Sequence, residues 1–167
     1  MKIILVPIAF MLFSCGAKKN DAIQALKTPH LESPCANDGN CSFEIIPQKS
    51  IEIKTDGFGK IYYELADHPE KIVYRYNYSD KVEDSTLQDA GYREEIIFEA
   101  DSKTAAFSYE GKNIQLTKMI FGVFCFCRGK AGYYKVNDGK VMKNGNEVVV
   151  QIPEIVSAQR THEFSIK

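Results

Sequence analysis

From residue 51 onward, apolar and polar positions alternate with a period of two through most of the chain. Ile51 and Ile53 alternate with Glu52 and Lys54, and Ile61, Tyr63 and Leu65 with Tyr62 and Glu64. Ile72, Tyr74, Tyr76 and Tyr78 share one face of a strand, while Arg75, Asn77 and Ser79 share the other. Phe107 and Tyr109 alternate with Ser108 and Glu110, and Val148, Val150 and Ile152 mark a further strand. Tyrosine and the β-branched residues suit a pleated, half-buried surface. No window shows a comparable 3.6-residue period. Asp56-Gly57, Glu110-Gly111, Asp138-Gly139 and Asn144-Gly145 fall between these runs. Such pairs supply the positive φ that tight hairpins require. Asp67-His68-Pro69 reads as one more turn. The pattern predicts an all-β domain, an antiparallel sandwich or barrel of about nine or ten strands. Residues 120–126 are apolar on both faces, which marks a central strand or the rib where two layers meet.

The start of the chain has another character. Lys2 precedes an unbroken apolar run at residues 3–13, followed by Ser14, Cys15 and Gly16. The run is short for a membrane-spanning helix, which needs roughly 20 apolar residues. It suits the apolar core of a secretory signal peptide. Leu12-Phe13-Ser14-Cys15-Gly16 resembles the lipobox of bacterial lipoproteins. That resemblance implies a diacylglyceryl group on the Cys15 thiol, cleavage just before Cys15, and usually an acyl chain such as palmitate on the new amino group. One acyl chain anchors only marginally, whereas two or three hold firmly. The resulting division is a signal peptide at 1–14, a lipidated cysteine and flexible tether at 15–34, and a β domain at 35–167. A coil of the tether's length spans about 24 Å root-mean-square.

Charge and cysteine usage then narrow the setting. The chain carries 21 Lys and Arg against 22 Asp and Glu, and removing the leader takes away only Lys2. No basic stripe suggests nucleic acid. With Cys15 set aside, Cys35, Cys41, Cys125 and Cys127 remain, an even number in an oxidising compartment, so disulfides are expected. Cys125 and Cys127 stand two apart in a predicted strand, about 6.5 Å between α-carbons and poorly directed for a mutual bond. The expectation is that both bond across to Cys35 and Cys41, in an order the sequence leaves open. A four-thiolate metal site is the competing reading, but C-x5-C and C-x-C do not match zinc spacings.

Candidate chemistry is sparse. His30, His68 and His162 lie in no nucleophile or metal motif, and no phosphate loop or G-x-S-x-G occurs. Glu94 and Glu95 are adjacent and should point to opposite strand faces. Asn37-Asp38-Gly39-Asn40 has calcium-loop residue types without the later bidentate carboxylate, so a tight turn is favoured. The acidic stretch at residues 80–95 reads as a solvated loop and strand entrance. The Tyr74, Tyr76, Tyr78 row reads as an inward face rather than a binding wall. No catalytic residue, cofactor or metal is predicted.

The short lipobox leader, the C-x2-D-G-x-C string from Cys35 to Cys41 and the Cys125-Phe126-Cys127 strand together resemble small β-rich lipoproteins of Bacteroidota. Export to the cell surface in that group tends to follow acidic residues just after the cysteine. Lys18 and Lys19 depart from this, which points to the periplasmic face of the outer membrane. The expected role is non-enzymatic: a lipid-anchored envelope domain that binds an envelope protein or small ligand. The alternative is a lipocalin-like barrel holding a small apolar molecule. Replacing Cys15 by Ser should block lipidation and leave an uncut precursor. Normal maturation of that variant, with wild-type detergent partitioning, would refute the anchor.

Overall fold

A computed structural model describes residues 30–81 and 91–167. Cys15, the signal peptide and most of the tether lie outside the described residues. So does most of the acidic stretch. The described chain is all-β, with nine strands, two short 3-10 turns and no α-helix. The strands are β1 (Asn40–Thr55), β2 (Ile61–Ser79), β3 (Arg93–Asp101), β4 (Ala106–Glu110), β5 (Ile120–Phe124), β6 (Gly132–Lys135), β7 (Lys140–Asn144), β8 (Glu147–Gln151) and β9 (Glu163–Ile166). They form a five-stranded sheet, ordered β1-β2-β3-β5-β6, and a four-stranded sheet, ordered β4-β7-β8-β9. Every strand pairing is antiparallel.

The two sheets pack face to face over the main core. Tyr74, Tyr76, Tyr78, Ile96, Phe98, Phe121 and Val123 come from the larger sheet, and Val141, Val148, Val150, Phe164 and Ile166 from the smaller. The tyrosine row is an inward face, as the alternation predicts. Tyr76 stacks on Phe164 with ring centroids 4.3 Å apart, and Tyr74 stacks on Phe98 at 5.0 Å.

The larger sheet is apolar on its other face too. There Ile51, Val73, Ile97 and Ile120 form a second core, each at most 1 % exposed. A corner in the first hairpin creates it. The sequence pattern marks Asp67-His68-Pro69 as a turn between two strands, but β2 runs through it unbroken. On β1, register passes from Pro47 opposite Ile72 to Lys49 opposite Asp67, so Gln48 alone faces four residues of β2. Gln48 has φ of 58°. Pro69 lies in this unmatched stretch, where no ladder donor is required of it. A bulge of this kind bends and twists a strand pair. The far half of the hairpin therefore folds over the sheet until Ile61 pairs with Tyr133 on β6. The larger sheet thus closes on itself, and the space inside the wrap is filled by isoleucine and valine side chains. A lipocalin-like reading needs a cavity in that place.

Glu99 on β3 holds the folded-over hairpin. It accepts hydrogen bonds from Ser50 Oγ at 2.8 Å and from Ile51 N at 2.6 Å, and it pairs with Lys118 Nζ at 3.0 Å. Residues 30–33 run beside β9, with His30 N donating to Lys167 O and Glu32 N to Ser165 O. Backbone there covers an otherwise open sheet edge.

Phe164 bridges the two sheets and is about 1 % exposed, whereas Leu116 is 67 % exposed. Phe164→Ala should cost about 3–5 kcal/mol of unfolding free energy. Leu116→Ala should stay within about 0.5 kcal/mol. Denaturant titration of both variants distinguishes core packing from general sensitivity.

Candidate functional site

On the face of the larger sheet away from the smaller one, side chains from five strands converge. Register places Glu44 of β1 opposite Arg75 of β2, Asn77 opposite Glu95 of β3, Glu95 opposite Gly122 of β5, and Gly122 opposite Tyr133 of β6. Gly122 is required here by close approach. A Cβ on it would come within 2.6 Å of the Tyr133 ring, so only glycine lets that ring lie across β5. Tyr133 meets Tyr63 and Phe124 edge-on, at 5.4 Å and 5.5 Å between centroids.

Glu95 is buried and accepts from Tyr133 OH at 3.0 Å and Tyr63 OH at 3.3 Å. Arg75 Nη1 donates to Tyr63 OH at 3.5 Å, and the Arg75 guanidinium pairs with Glu44. Burial pushes the Glu95 carboxyl above its ordinary value of 4.5, and the tyrosine hydrogen bonds and Arg75 only partly oppose it. Burial and the neighbouring Glu95 raise both Tyr133 and Tyr63, so both phenols stay neutral at physiological pH.

Beside this cluster lies a groove of about 480 Å³, lined by Asn40, Ser42, Asn77, Ser79, Arg93, Glu95 and Phe124 among others. The Arg93 guanidinium sits 5.7 Å from the centre of the Phe124 ring. The groove therefore offers amides, hydroxyls, one cation and one carboxylate around an aromatic wall. Glu94, one residue from Glu95, points the other way. It accepts from Arg160 N at 2.6 Å, Thr161 N at 2.7 Å and Tyr92 OH at 2.6 Å, and so ties the segment before β9 to the larger sheet. The two carboxylates occupy opposite faces, as their adjacency predicts.

The cysteines correct the expected cross-bonding. Cys35 bonds to Cys41 with α-carbons 5.6 Å apart, and Cys125 bonds to Cys127 with α-carbons 5.1 Å apart. Two physical reasons explain the difference. First, β5 stops at Phe124, and Cys125 and Phe126 lie in a bend rather than an extended strand. The bend brings the α-carbons closer than the roughly 6.5 Å of a strand. Second, β2 and β3 lie between β1 and β5. Cys41 is in register, through Tyr78 and Glu94, with Val123. Three strand spacings make about 14 Å, twice what a disulfide spans. The segment between Cys35 and Cys41 is a tight turn, with a 3-10 turn at Ala36–Asp38. Gly39 lies so close to Tyr78 that a Cβ would meet its ring at 2.3 Å.

The histidines are dispersed. His30 lies beside β9, His68 in the bulge of β2, and His162 just before β9. Among the described residues, no group of three or more His, Cys, Asp or Glu is placed to hold a metal ion. Neither the Glu95 cluster nor the groove is apparent in the sequence, because their members come from separate strands. The one local hint is Gly122, a glycine inside a wholly apolar strand, where close approach of another group is a common cause. Comparisons of the chain with protein-family models, with curated proteins and with solved structures return no match.

Because Glu95 has a raised folded-state pKa, its contribution to stability is fully present below the ordinary carboxylate range. It is lost as pH rises through the folded-state value. Glu95→Gln keeps an acceptor and removes the charge. Thermal melts from about pH 4 to about pH 8 should therefore show the variant gaining on wild type as pH rises. A constant difference across that window would refute the assignment.

Proposed function

We propose that this chain is a bacterial lipoprotein, anchored through Cys15 on the periplasmic face of the outer membrane. In this reading its β domain binds an envelope partner rather than turning over a substrate. The groove over Arg93 and Phe124 is the contact. The observation that carries the reading is its mixed lining, in which short polar side chains and one guanidinium surround a single half-buried aromatic ring. Such a surface fits a polar partner, since hydrogen-bonding groups fix orientation and an aromatic face supplies area at low entropic cost. The charged groups of the cluster are engaged with their neighbours. Glu95 is held by two neutral phenols, and Arg75 by Glu44. That is the pattern of a rigid floor beneath a binding surface.

The test is capture from the native envelope by the full-length lipidated protein, with mass spectrometry of the bound material. Arg93→Glu reverses the cation of the groove at an exposed position and should abolish capture of the specific partner while leaving melting temperature unchanged. Equal capture by both proteins would refute the groove as the contact. Hydrolysis of a generic ester, peptide or glycoside that survives repurification and vanishes in Glu95→Gln would refute the non-catalytic reading.

A further inference from the structure

Two aromatic side chains stand almost wholly outside the fold. Phe58 is 94 % exposed and Phe126 is 88 % exposed. Single exposed apolar residues are ordinary. These two are notable because their loops meet. A hollow of about 430 Å³ is lined by Gly59, Lys60 and Ile61 from the tip of the first hairpin and by Gly129, Ala131 and Gly132 from the loop between β5 and β6. Both loops are held in shape. Asp56 Oδ1 accepts from Phe58 N at 2.8 Å and Lys60 N at 2.9 Å, which fixes the hairpin tip. The Cys125–Cys127 bond brackets Phe126 on either side.

The charge around this hollow differs from that of the chain as a whole. Lys60, Arg128, Lys130 and Lys135 lie on the two loops and at the end of β6, and Asp56 is the acid of these loops. The chain overall has a net charge of −1. Exposed rings flanked by cations match the chemistry of a lipid interface. The rings enter the headgroup boundary, while lysine and arginine heads meet lipid phosphates. A protein partner would instead anchor such rings in complementary pockets.

We propose that this end of the domain docks on the anionic membrane surface that carries the anchor, through Phe58 and Phe126 with Lys60, Arg128, Lys130 and Lys135. The proposal rests on the anchored reading. A tether of about 24 Å root-mean-square keeps the domain at high effective concentration near the bilayer, so weak loop contacts suffice to orient it.

The chain contains no tryptophan, so Phe126→Trp installs a lone fluorescent reporter at an exposed position. Phe58→Trp supplies a second one on the neighbouring loop. The full-length lipidated variants are reconstituted in vesicles with brominated acyl chains, with and without phosphatidylglycerol. In anionic vesicles both tryptophans should shift to the blue and be quenched several-fold more by bromine than in zwitterionic ones. Iodide in the water should quench them weakly, and adding Lys60→Glu and Arg128→Glu should reverse both effects. If the protein floats with the vesicles but iodide quenches both tryptophans equally in each lipid mixture, docking is overturned and the anchor stands. If the protein does not float at all, the anchor fails and the proposal with it. A blue shift that needs an added envelope protein and no lipid would assign the surface to a protein partner and overturn the proposal.

Discussion

A buried carboxylate is costly unless donors meet it on arrival, and β3 carries three of them in a row of six buried residues. Each is met, and each meeting joins two parts of the chain. Glu94 faces the smaller sheet and receives two backbone N–H groups from the segment before β9. Glu99 faces the other way and receives Ser50, Ile51 and Lys118 from the folded-over hairpin and the turn before β5. Glu95, between them, receives two tyrosines. The bonds that Glu94 and Glu99 accept from Arg160 N, Thr161 N, Ser50 Oγ and Ile51 N are 2.6–2.8 Å long, as short as charge-assisted bonds are. Losing a partner strands a charge in the interior, at a cost of about 3–5 kcal/mol. The central strand therefore acts as a template that accepts only one placement of each layer.

The corner in the first hairpin is what gives Glu99 and Glu95 their partners. Without the bulge at Gln48, Ile51, Tyr63 and Leu65 would extend past the sheet into water. With it, they cover Val73, Ile97 and Ile120. Closure of β2 on β6 then places Tyr63 against Tyr133. The groove follows from the same closure, because the wrap covers only part of the sheet face. Asn40, Ser42, Asn77, Ser79 and Arg93, at the unwrapped end, stay open to solvent.

Much of the architecture was legible in the sequence, because a period of two is a direct record of which side of a pleated surface each residue occupies. The inward tyrosine row and the doubly apolar β5 follow from it, as does the separation of Glu94 from Glu95. What alternation does not record is which strands lie side by side. Tyr63, Glu95, Gly122 and Tyr133 belong to four strands, and their meeting depends on registers set by a bulge that reads locally as a turn. Asp67, His68 and Pro69 have the composition of a chain reversal. They produce a corner instead, since β3 pairs with β2 on the other side from Lys71 onward and keeps the strand running. The disulfides were misread for a related reason. Residues 120–126 are uniformly apolar, so nothing in the pattern marks the end of β5 at Phe124.

The observed bonds change what the cysteines contribute. Cross-links between β1 and β5 would have closed long loops and constrained the unfolded chain, for about 4 kcal/mol in the chain-entropy view. The Cys35–Cys41 bond, with a sequence separation of 6, closes a short loop for about 2 kcal/mol on the same scale. A smaller effect on global stability goes with a more local one on shape. Cys41 adjoins Asn40 at one rim of the groove, and Cys125 adjoins Phe124 at the other. Gly39 packs under Tyr78 beside the first bond, and Arg93 lies over Phe124 beside the second. Each bond thus fixes the backbone next to a groove residue whose side chain is partly or wholly exposed. Ordering such residues before a partner arrives lowers the entropy lost on binding. The two bonds thus bear more on the shape of the groove rims than on the survival of the fold.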